Sequence, residues 1–221
     1  MAWRVSFTSH PLAWAVVASL MCLALLAVRL LVAPDGELGF LAWNLGLAWI
    51  PLALGVAILR ATRRGARGPA LLPAAAALIL FLPNAPYLLT DLVHLRGRAD
   101  GLPALDFAML TAFALTGLLL FVNCVVAIHE AARLRLGTRA ARALVPACIW
   151  LSSVGIYLGR VLRWNSWDVL DDPVGSLGGL LGHLANPASL AFAVAFTAGV
   201  GVCLHIAYAA IVRLSFPAAR Q

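Results

Sequence analysis

"LLPAAAALILFLPNAPYLLTDLVHL", residues 71–95, decides the fold of this chain. Its first half is almost uninterrupted apolar sequence, and a helix needs about 20 such residues to cross the hydrocarbon core of a bilayer. Its second half carries Pro83 and Pro86, followed by several polar side chains. Because proline lacks a backbone N–H and clashes with the preceding turn, we predict a membrane-spanning helix that kinks or breaks near one end.

The rest of the chain has the same apolar character. Of its 221 residues 63% are hydrophobic and 11% charged, whereas a soluble domain carries about 25% charged residues. Mean hydropathy is +0.95. We therefore predict one all-α domain over residues 1–221, a polytopic integral membrane helix bundle. Its six predicted transmembrane spans are residues 12–32, 38–59, 69–92, 105–128, 143–162 and 187–214.

The charged residues divide unevenly between the two sides of this bundle. The side that holds both termini also holds most of the 16 arginines, and Glu130 is its only acid. Since cytoplasmic loops are rich in basic residues, we predict that both termini are cytoplasmic. The absence of lysine and the high alanine and leucine content indicate a bacterial protein, and hence its plasma (inner) membrane. The net charge of +7 then reflects loops beside anionic lipid, so no nucleic-acid partner is predicted.

The polar residues after the two prolines fall on one face if residues 84–95 are α-helical. At 100° per residue, Asn84, Tyr87, Thr90, Asp91 and His94 share one side, and the leucines and Val93 share the other. The polar side must face protein or water, because lipid cannot satisfy it. We also expect Asn84 to cap the helix that restarts after Pro83.

A second polar stripe lies in "GIYLGRVLRWNSWD", residues 155–168. Tyr157, Arg160 and Trp164 fall close together on a helical projection, with Arg163 beside them. Charged residues at membrane depth are costly and usually paired. We therefore predict that Asp91 reaches Arg160 or Arg163, and that the isolated amide of Asn44 joins the same group.

Three blocks of the sequence, "WNLGLAWIPL", "FLPNAPYLLTDLVHL" and "GIYLGRVLRWNSWD", resemble the bacterial membrane-protein domain-of-unknown-function family 1361. The similar region runs from about Ala42 to Asp172, more than half of the chain. The resemblance implies a multi-helix membrane protein. The family has no established activity, substrate or cofactor, so the resemblance assigns no catalytic role to any residue.

Asp91 and His94 are the candidate catalytic residues, because both can move protons. They are also weak candidates for metal ligands, since helix-bundle metal sites use a carboxylate and a histidine three residues apart. Asp168, Asp171, Asp172 or His183 could complete such a set from the loops on the same side of the membrane. The candidate substrate-binding residues are Asn84, Tyr87, Thr90, Tyr157, Arg160, Arg163, Trp164, Asn165 and Asp168.

Three classes of function fit these residues. An enzyme would act on a lipid-linked or envelope molecule, with Arg160 and Arg163 holding a phosphate. A transporter or ligand sensor would use the broken helix as transporters use discontinuous helices. A structural or assembly protein would use the same polar residues to lock its helices together. The predicted partners are the lipid bilayer and, for the first two classes, an anionic or lipid-linked ligand; no cofactor and no protein partner is assigned.

Four smaller expectations concern other parts of the chain. The glycine-rich residues 175–183 predict a flexible or re-entrant outer loop, with close helix contact through Gly-x-x-x-Gly spacing as the alternative. Asn186 and Pro187 predict the start of the last helix. His129 and Glu130 look like a solvated helix end, and His205 like a hydrogen-bonded packing residue.

Overall fold

The computed structural model describes residues 9–33, 38–66, 68–95, 102–164 and 171–215. Within these ranges every regular element is a helix. The α-helices are α1 (Ser9–Val32), α2 (Phe40–Arg63), α3 (Gly68–Phe81), α4 (Asn84–Tyr87), α5 (Pro103–Leu136), α6 (Thr138–Arg160), α7 (Pro173–Leu184) and α8 (Pro187–Ser215). A 3₁₀ helix, Leu88–Leu95, follows α4 directly.

Six helical segments of the described chain are long and apolar enough to cross a membrane. They are Leu12–Val32, Phe40–Arg63, Gly68–Leu95, Pro103–Leu136, Thr138–Arg160 and Pro187–Leu214. These segments confirm the prediction of an all-α membrane bundle with six spans. Successive spans run in opposite directions. Each end of the bundle therefore holds the last residues of one span and the first residues of the next. The end that holds Asp91 and Asp106 is called the carboxylate end below, and the end that holds Arg63 and Arg135 the arginine-rich end.

Helix α5 forms the centre of the bundle. It packs against α1, α2, the 3₁₀ helix, α6 and α8, and most of its membrane-spanning residues are buried. At 1.5 Å per residue its 34 residues span about 51 Å. Its buried faces carry large side chains such as Phe113 and Phe121, both fully buried. Helix α8 is the opposite case, because most of its apolar surface is exposed.

The third span is broken where the two prolines predict it. Helix α3 ends at Phe81, and α4 starts at Asn84 after a turn through Leu82 and Pro83. The prediction that Asn84 caps the restarted helix is wrong, because Pro83 occupies the N-cap position and makes no side-chain cap hydrogen bond. Asn84 Nδ2 instead donates backward to the Phe81 carbonyl oxygen at 3.0 Å. The amide therefore satisfies an acceptor that the broken helix has released.

The residues after the break form a 3₁₀ helix, so the α-helical projection of residues 84–95 is correct only for α4. With three residues per turn, side chains three apart eclipse one another. Leu88, Asp91 and His94 therefore share one column, and both Leu88 and Asp91 are buried. The expectation that the leucines lie opposite the polar groups fails at Leu88. An eight-residue 3₁₀ helix is unusually long, and its tighter winding turns Asp91 toward the core.

Two glycines allow other helices to approach this break. A Cβ on Gly117 of α5 would lie 2.9 Å from Leu88 Cβ and closer still to the Ala85 carbonyl oxygen. A Cβ on Gly155 of α6 would overlap the ring of Pro83. The broken segment thus sits against α5 and α6 only because both helices present a bare backbone there.

Replacement of Gly117 by alanine should destabilise the protein by about 1–3 kcal/mol, because the new methyl group collides with backbone that cannot move aside. The control is Gly46→Ala in α2, where an added Cβ has open space around it. That change should leave stability unchanged or raise it, since alanine is the better helix former. Unfolding with sodium dodecyl sulfate in mixed micelles compares the two. Equal behaviour of the two variants would show that the approach at Gly117 is not tight.

The remaining expectations meet with mixed outcomes. Residues 173–184 form helix α7, so the expectation of a loop there is wrong. An added Cβ on Gly178 or Gly182 would meet nothing within 4 Å. These two glycines therefore serve no close helix contact. Asn186 Oδ1 accepts from the Ala188 amide at 2.9 Å, which confirms the start of the last helix.

At the arginine-rich end, α5 also departs from the expectation of a solvated helix end. His129 and Glu130 are buried, and α5 continues to Leu136. Glu130 accepts a hydrogen bond from Arg63 of α2 at 2.6 Å, which explains why the carboxylate is tolerated there. His205 contacts the Gly201 carbonyl oxygen through Nδ1 at 3.2 Å, as expected for a packing histidine.

Candidate functional site

An ion pair between the 3₁₀ helix and α6 forms the centre of the candidate site. Arg160 Nη2 contacts Asp91 Oδ1 directly, and the Asp91 side chain is only 1% exposed. Arg160 is the last residue of α6, and Asp91 lies halfway along the 3₁₀ helix. The predicted pairing of Asp91 with one of the two nearby arginines is therefore present, and the partner is Arg160.

Arg160 is held by two further residues of the same segment. Its Nε and Nη2 both donate to Thr90 Oγ1, at 2.9 and 2.7 Å. Its guanidinium carbon lies 4.4 Å from the centre of the Tyr87 ring, in a cation–π contact. Thr90 Oγ1 in turn donates to the Tyr87 carbonyl oxygen at 2.6 Å, which fixes the hydroxyl's position. The guanidinium is thus oriented by three residues, Tyr87, Thr90 and Asp91.

The second oxygen of Asp91 is occupied by α2. Asn44 Nδ2 donates to Asp91 Oδ2 at 3.1 Å, so the prediction that Asn44 joins this group is confirmed. Both carboxylate oxygens therefore have partners on helices distant in sequence. The five residues Asn44, Tyr87, Thr90, Asp91 and Arg160 are called the polar cluster below.

His94 lies at the edge of the polar cluster. It is half-buried, its Nδ1 contacts the Asp91 carbonyl oxygen at 3.0 Å, and its ring lies 4.9 Å from the ring of Phe40. Phe40 is a contact that sequence reasoning did not identify. His94 thus contacts the backbone of Asp91 through its imidazole.

Tyr157 belongs to a different contact. Its hydroxyl lies 2.8 Å from His183 Nε2 of α7, and its ring packs near Phe192 and Phe196 of α8. It is buried, one turn of α6 before Arg160, and points toward α7 and α8. The structure therefore separates Tyr157 from the polar cluster, although the sequence placed both on one stripe.

The residues after α6 are only partly described. Arg163 is exposed and has left-handed backbone, with φ 60°. Trp164 is half-buried, and its amide donates to the Leu158 carbonyl oxygen at 3.1 Å. Asn165 and Asp168, two of the candidate substrate-binding residues, lie outside the described residues.

The described part of the chain holds no group of three or more histidines, cysteines, aspartates or glutamates that could bind a metal ion. Asp172 is engaged elsewhere, since its Oδ1 accepts from the Gly175 amide at 2.9 Å and caps α7. His183 is engaged by Tyr157. Among these residues, therefore, the structure does not assemble the ligand set that Asp91 and His94 would require.

A second ion pair at the carboxylate end was not predicted. Arg29 Nε donates to Asp106 Oδ1 at 2.6 Å, and their side chains are 4% and 3% exposed. Arg29 Nη1 also donates to the Ala33 carbonyl oxygen at 2.8 Å, near the end of α1. The signal was available, because both residues were on the same predicted side of the membrane and each ended or began a predicted span.

A family model described as "Protein of unknown function (DUF1361)" matches residues 43–203. The chain belongs to the DUF1361 family. The DUF1361 match contains the whole polar cluster, from Asn44 to Arg160, and also Asp106, whereas Arg29 precedes it. No curated protein and no solved structure matches the chain.

Proposed function

We propose that this integral membrane protein binds an anionic, phosphate-bearing lipid-linked or envelope molecule at the carboxylate end, with Arg160 as the contacting group. The observation that carries the proposal is that the Arg160 side chain is fixed in orientation and still accessible. Tyr87, Thr90 and Asp91 hold its guanidinium in one orientation, yet its side chain remains 22% exposed. A fixed and accessible guanidinium suits the paired oxygens of a phosphate.

Nearby charge supports an anionic ligand. Arg163 is exposed three residues after Arg160, and Asp91 is the only acid in the polar cluster. Asp91 balances Arg160 from the buried side, which lowers the cost of holding a cation at this depth. Within the described residues, the hydrogen bonds of Arg160 come from Nε and Nη2, which leaves Nη1 for a ligand.

The proposal extends to location. The carboxylate end lies at the outer face of a bacterial plasma (inner) membrane, and both termini are cytoplasmic. The supporting observation is the concentration of arginines at the opposite end, which the positive-inside rule places in the cytoplasm. A lipid-linked molecule whose headgroup faces outward would then meet Arg160 at headgroup level.

The geometry favours a supporting role for Asp91 over proton transfer. A general base needs a carboxylate oxygen within reach of the substrate, but both Asp91 oxygens are taken and the side chain is buried. Asp91 acts in this proposal as the counter-ion that positions Arg160. His94, which is half-buried at the edge, is the residue of the pair that a substrate can reach.

The saturation of Asp91 also favours a second candidate, a protein without a ligand at this site. The polar cluster joins α2, the 3₁₀ helix and α6 through side-chain hydrogen bonds and the Asp91–Arg160 ion pair. In this second candidate, the group binds no ligand and its sole role is to lock the packing of the helices. The two candidates differ in one measurable respect, namely whether the purified protein retains an anionic molecule through Arg160.

The test compares molecules that copurify with the wild type and with the double variant Asp91→Asn, Arg160→Gln. The double change removes both charges together, so the net charge stays the same and no unpaired ion is buried. Mass spectrometry of extracts should find an anionic molecule on the wild type that is strongly depleted from the double variant. Arg142→Gln, an exposed arginine at the other end, is the control and should retain it. Equal retention by all three proteins, or none by the wild type, would contradict the proposal and leave the locking role.

A further inference from the structure

Helix α7 presents an exposed apolar stripe beside the start of α8. Val174, Leu177 and Leu181 follow one another at spacings of three and four residues, so their side chains lie along one side of the helix. They are 81%, 57% and 61% exposed, and none of the residues of α7 is buried. Single apolar side chains at a surface need no explanation, but a continuous stripe marks a surface that something covers.

Helix α7 has no charged side that could face water. Residues 173–184 contain no charged residue, and their polar side chains are Ser176 and His183. These two residues are half-buried and fall on one side of the helix, while the other sides carry valine, leucine and glycine. A helix on a water-exposed surface shows polar residues on its outer side, whereas a helix that is apolar all round belongs in a protein core or a membrane. Because α7 is not buried in the protein, its composition indicates a membrane environment.

The contact between Tyr157 and His183 sets the position of the last turn of α7. The Tyr157 ring packs 6.4 and 5.8 Å from the rings of Phe192 and Phe196, between centroids. At 1.5 Å per residue these two phenylalanines lie about 8 and 14 Å along α8 from Pro187, its first residue. The Tyr157 hydroxyl lies 2.8 Å from His183 Nε2. The last turn of α7 therefore lies beside the first turns of a membrane-spanning helix.

The first turn of α7 has the opposite character. Asp171 and Asp172 directly precede the helix, and both are exposed. Because a carboxylate is costly in hydrocarbon, this end must reach water. The 12 residues of α7 span about 18 Å, whereas the hydrocarbon core of a bilayer is about 30 Å thick. The helix is therefore long enough to extend from the surface into one leaflet and too short to cross the bilayer.

We infer that α7 inserts into the bilayer at the carboxylate end as a short tilted helix, and that Val174, Leu177 and Leu181 contact the acyl chains of that leaflet. The stripe continues the exposed apolar surface of α8, from which α7 is separated only by Ala185 and Asn186. An α-helix is compatible with lipid because it satisfies its own backbone amides and carbonyls. The inference concerns α7 and does not depend on a ligand at Arg160.

Fluorescence quenching of the full-length protein in phosphatidylcholine vesicles tests this position. Leu177→Cys and Leu181→Cys are made in a Cys203→Ala background, because Cys203 is exposed and the other three cysteines are buried. Each new thiol carries a nitrobenzoxadiazole label. Phosphatidylcholine with a spin label on its acyl chain quenches from the hydrocarbon, and iodide quenches from water. We expect strong quenching of both labels by the spin-labelled lipid and weak quenching by iodide.

Two further positions calibrate the two quenchers. Asp171→Cys carries the label at the exposed residue before α7, and iodide should quench it several times more strongly than the labels within α7. Val202→Cys carries the label at a residue of α8 that is 53% exposed within a membrane span, and the spin-labelled lipid should quench it strongly. The melting temperature of each variant, compared with Cys203→Ala alone, shows that the fold is retained. Val174→Cys replaces either α7 position if that variant does not fold.

Two results would overturn the inference. Quenching of the α7 labels by iodide as strong as at Asp171→Cys would place the stripe in water. Protection of these labels from both quenchers would indicate that a protein surface covers the stripe, either from a second copy of this chain or from another protein. Quenching by the spin-labelled lipid that matches Val202→Cys supports contact with acyl chains.

Discussion

Asp106→Ala should lower the free energy of unfolding substantially. Removal of one partner of a buried ion pair costs about 3–5 kcal/mol, and we expect a loss near the upper end of that range. The change removes the carboxylate that Arg29 Nε contacts at 2.6 Å in the interface of α1 and α5, where the Arg29 side chain is 4% exposed. A buried guanidinium that loses this acceptor must regain solvent or distort the helices. Titration with sodium dodecyl sulfate in mixed micelles measures the loss.

Two variants serve as controls for this pair. Asp171→Ala removes an exposed carboxylate from the same end and should change stability little. The double variant Arg29→Met, Asp106→Leu replaces the pair by apolar groups of similar size and should recover much of the lost stability. A loss from Asp171→Ala as large as that from Asp106→Ala would indicate a general charge effect at this end instead of a specific ion pair.

Much of the fold could be predicted because lipid imposes simple rules. Six apolar stretches of sufficient length predict six spans, and proline chemistry alone places the break of the third span between Phe81 and Asn84. The end of α5 was harder to predict. Helix α5 continues to Leu136, and its buried Glu130 accepts a hydrogen bond from Arg63 of α2. This contact leaves no signal in the local sequence.

The conformation after the break was predictable only in part. The residues that follow Pro86 are compatible with an α-helix, and the projection of residues 84–95 rests on that assumption. The structure forms a 3₁₀ helix from Leu88, which packs against α2 and α5 and is hydrogen-bonded to Arg160 of α6. Local propensity does not select this form; the close packing at Gly117 fixes the position of Leu88 and hence of Asp91.

The candidate site was predictable where an uncompensated charge required a partner. Asp91 and Arg160 had to be paired at membrane depth, and Asn44 was an amide without a local partner, so their meeting follows from the cost of burial. Tyr157 has no such requirement. Its hydroxyl can pair with any nearby group, and only the three-dimensional position of α7 selects His183.

Asp91→Ala should destabilise the protein by about 3 kcal/mol, the lower part of the range for breaking a buried pair, because Arg160 is partly exposed and can regain some solvent. Two donors lose their acceptor at once, Arg160 Nη2 and Asn44 Nδ2. Stability in mixed micelles, with Asp171→Ala as the matched control, measures the effect. A loss no larger than that of the control would show that the cluster does not hold α2, the 3₁₀ helix and α6 together.

The same variant separates the two roles considered for the polar cluster. If Arg160 binds an anion, the ligand can partly replace the Asp91 carboxylate, so addition of phosphatidylglycerol should restore part of the stability lost in Asp91→Ala. If the cluster only locks the helices, phosphatidylglycerol should leave the difference between the wild type and Asp91→Ala unchanged. Addition of phosphatidylcholine is the control, since it lacks the net negative charge that the unpaired guanidinium requires. Removal of the Asp91 carboxylate therefore tests whether Arg160 can bind another anion in its place.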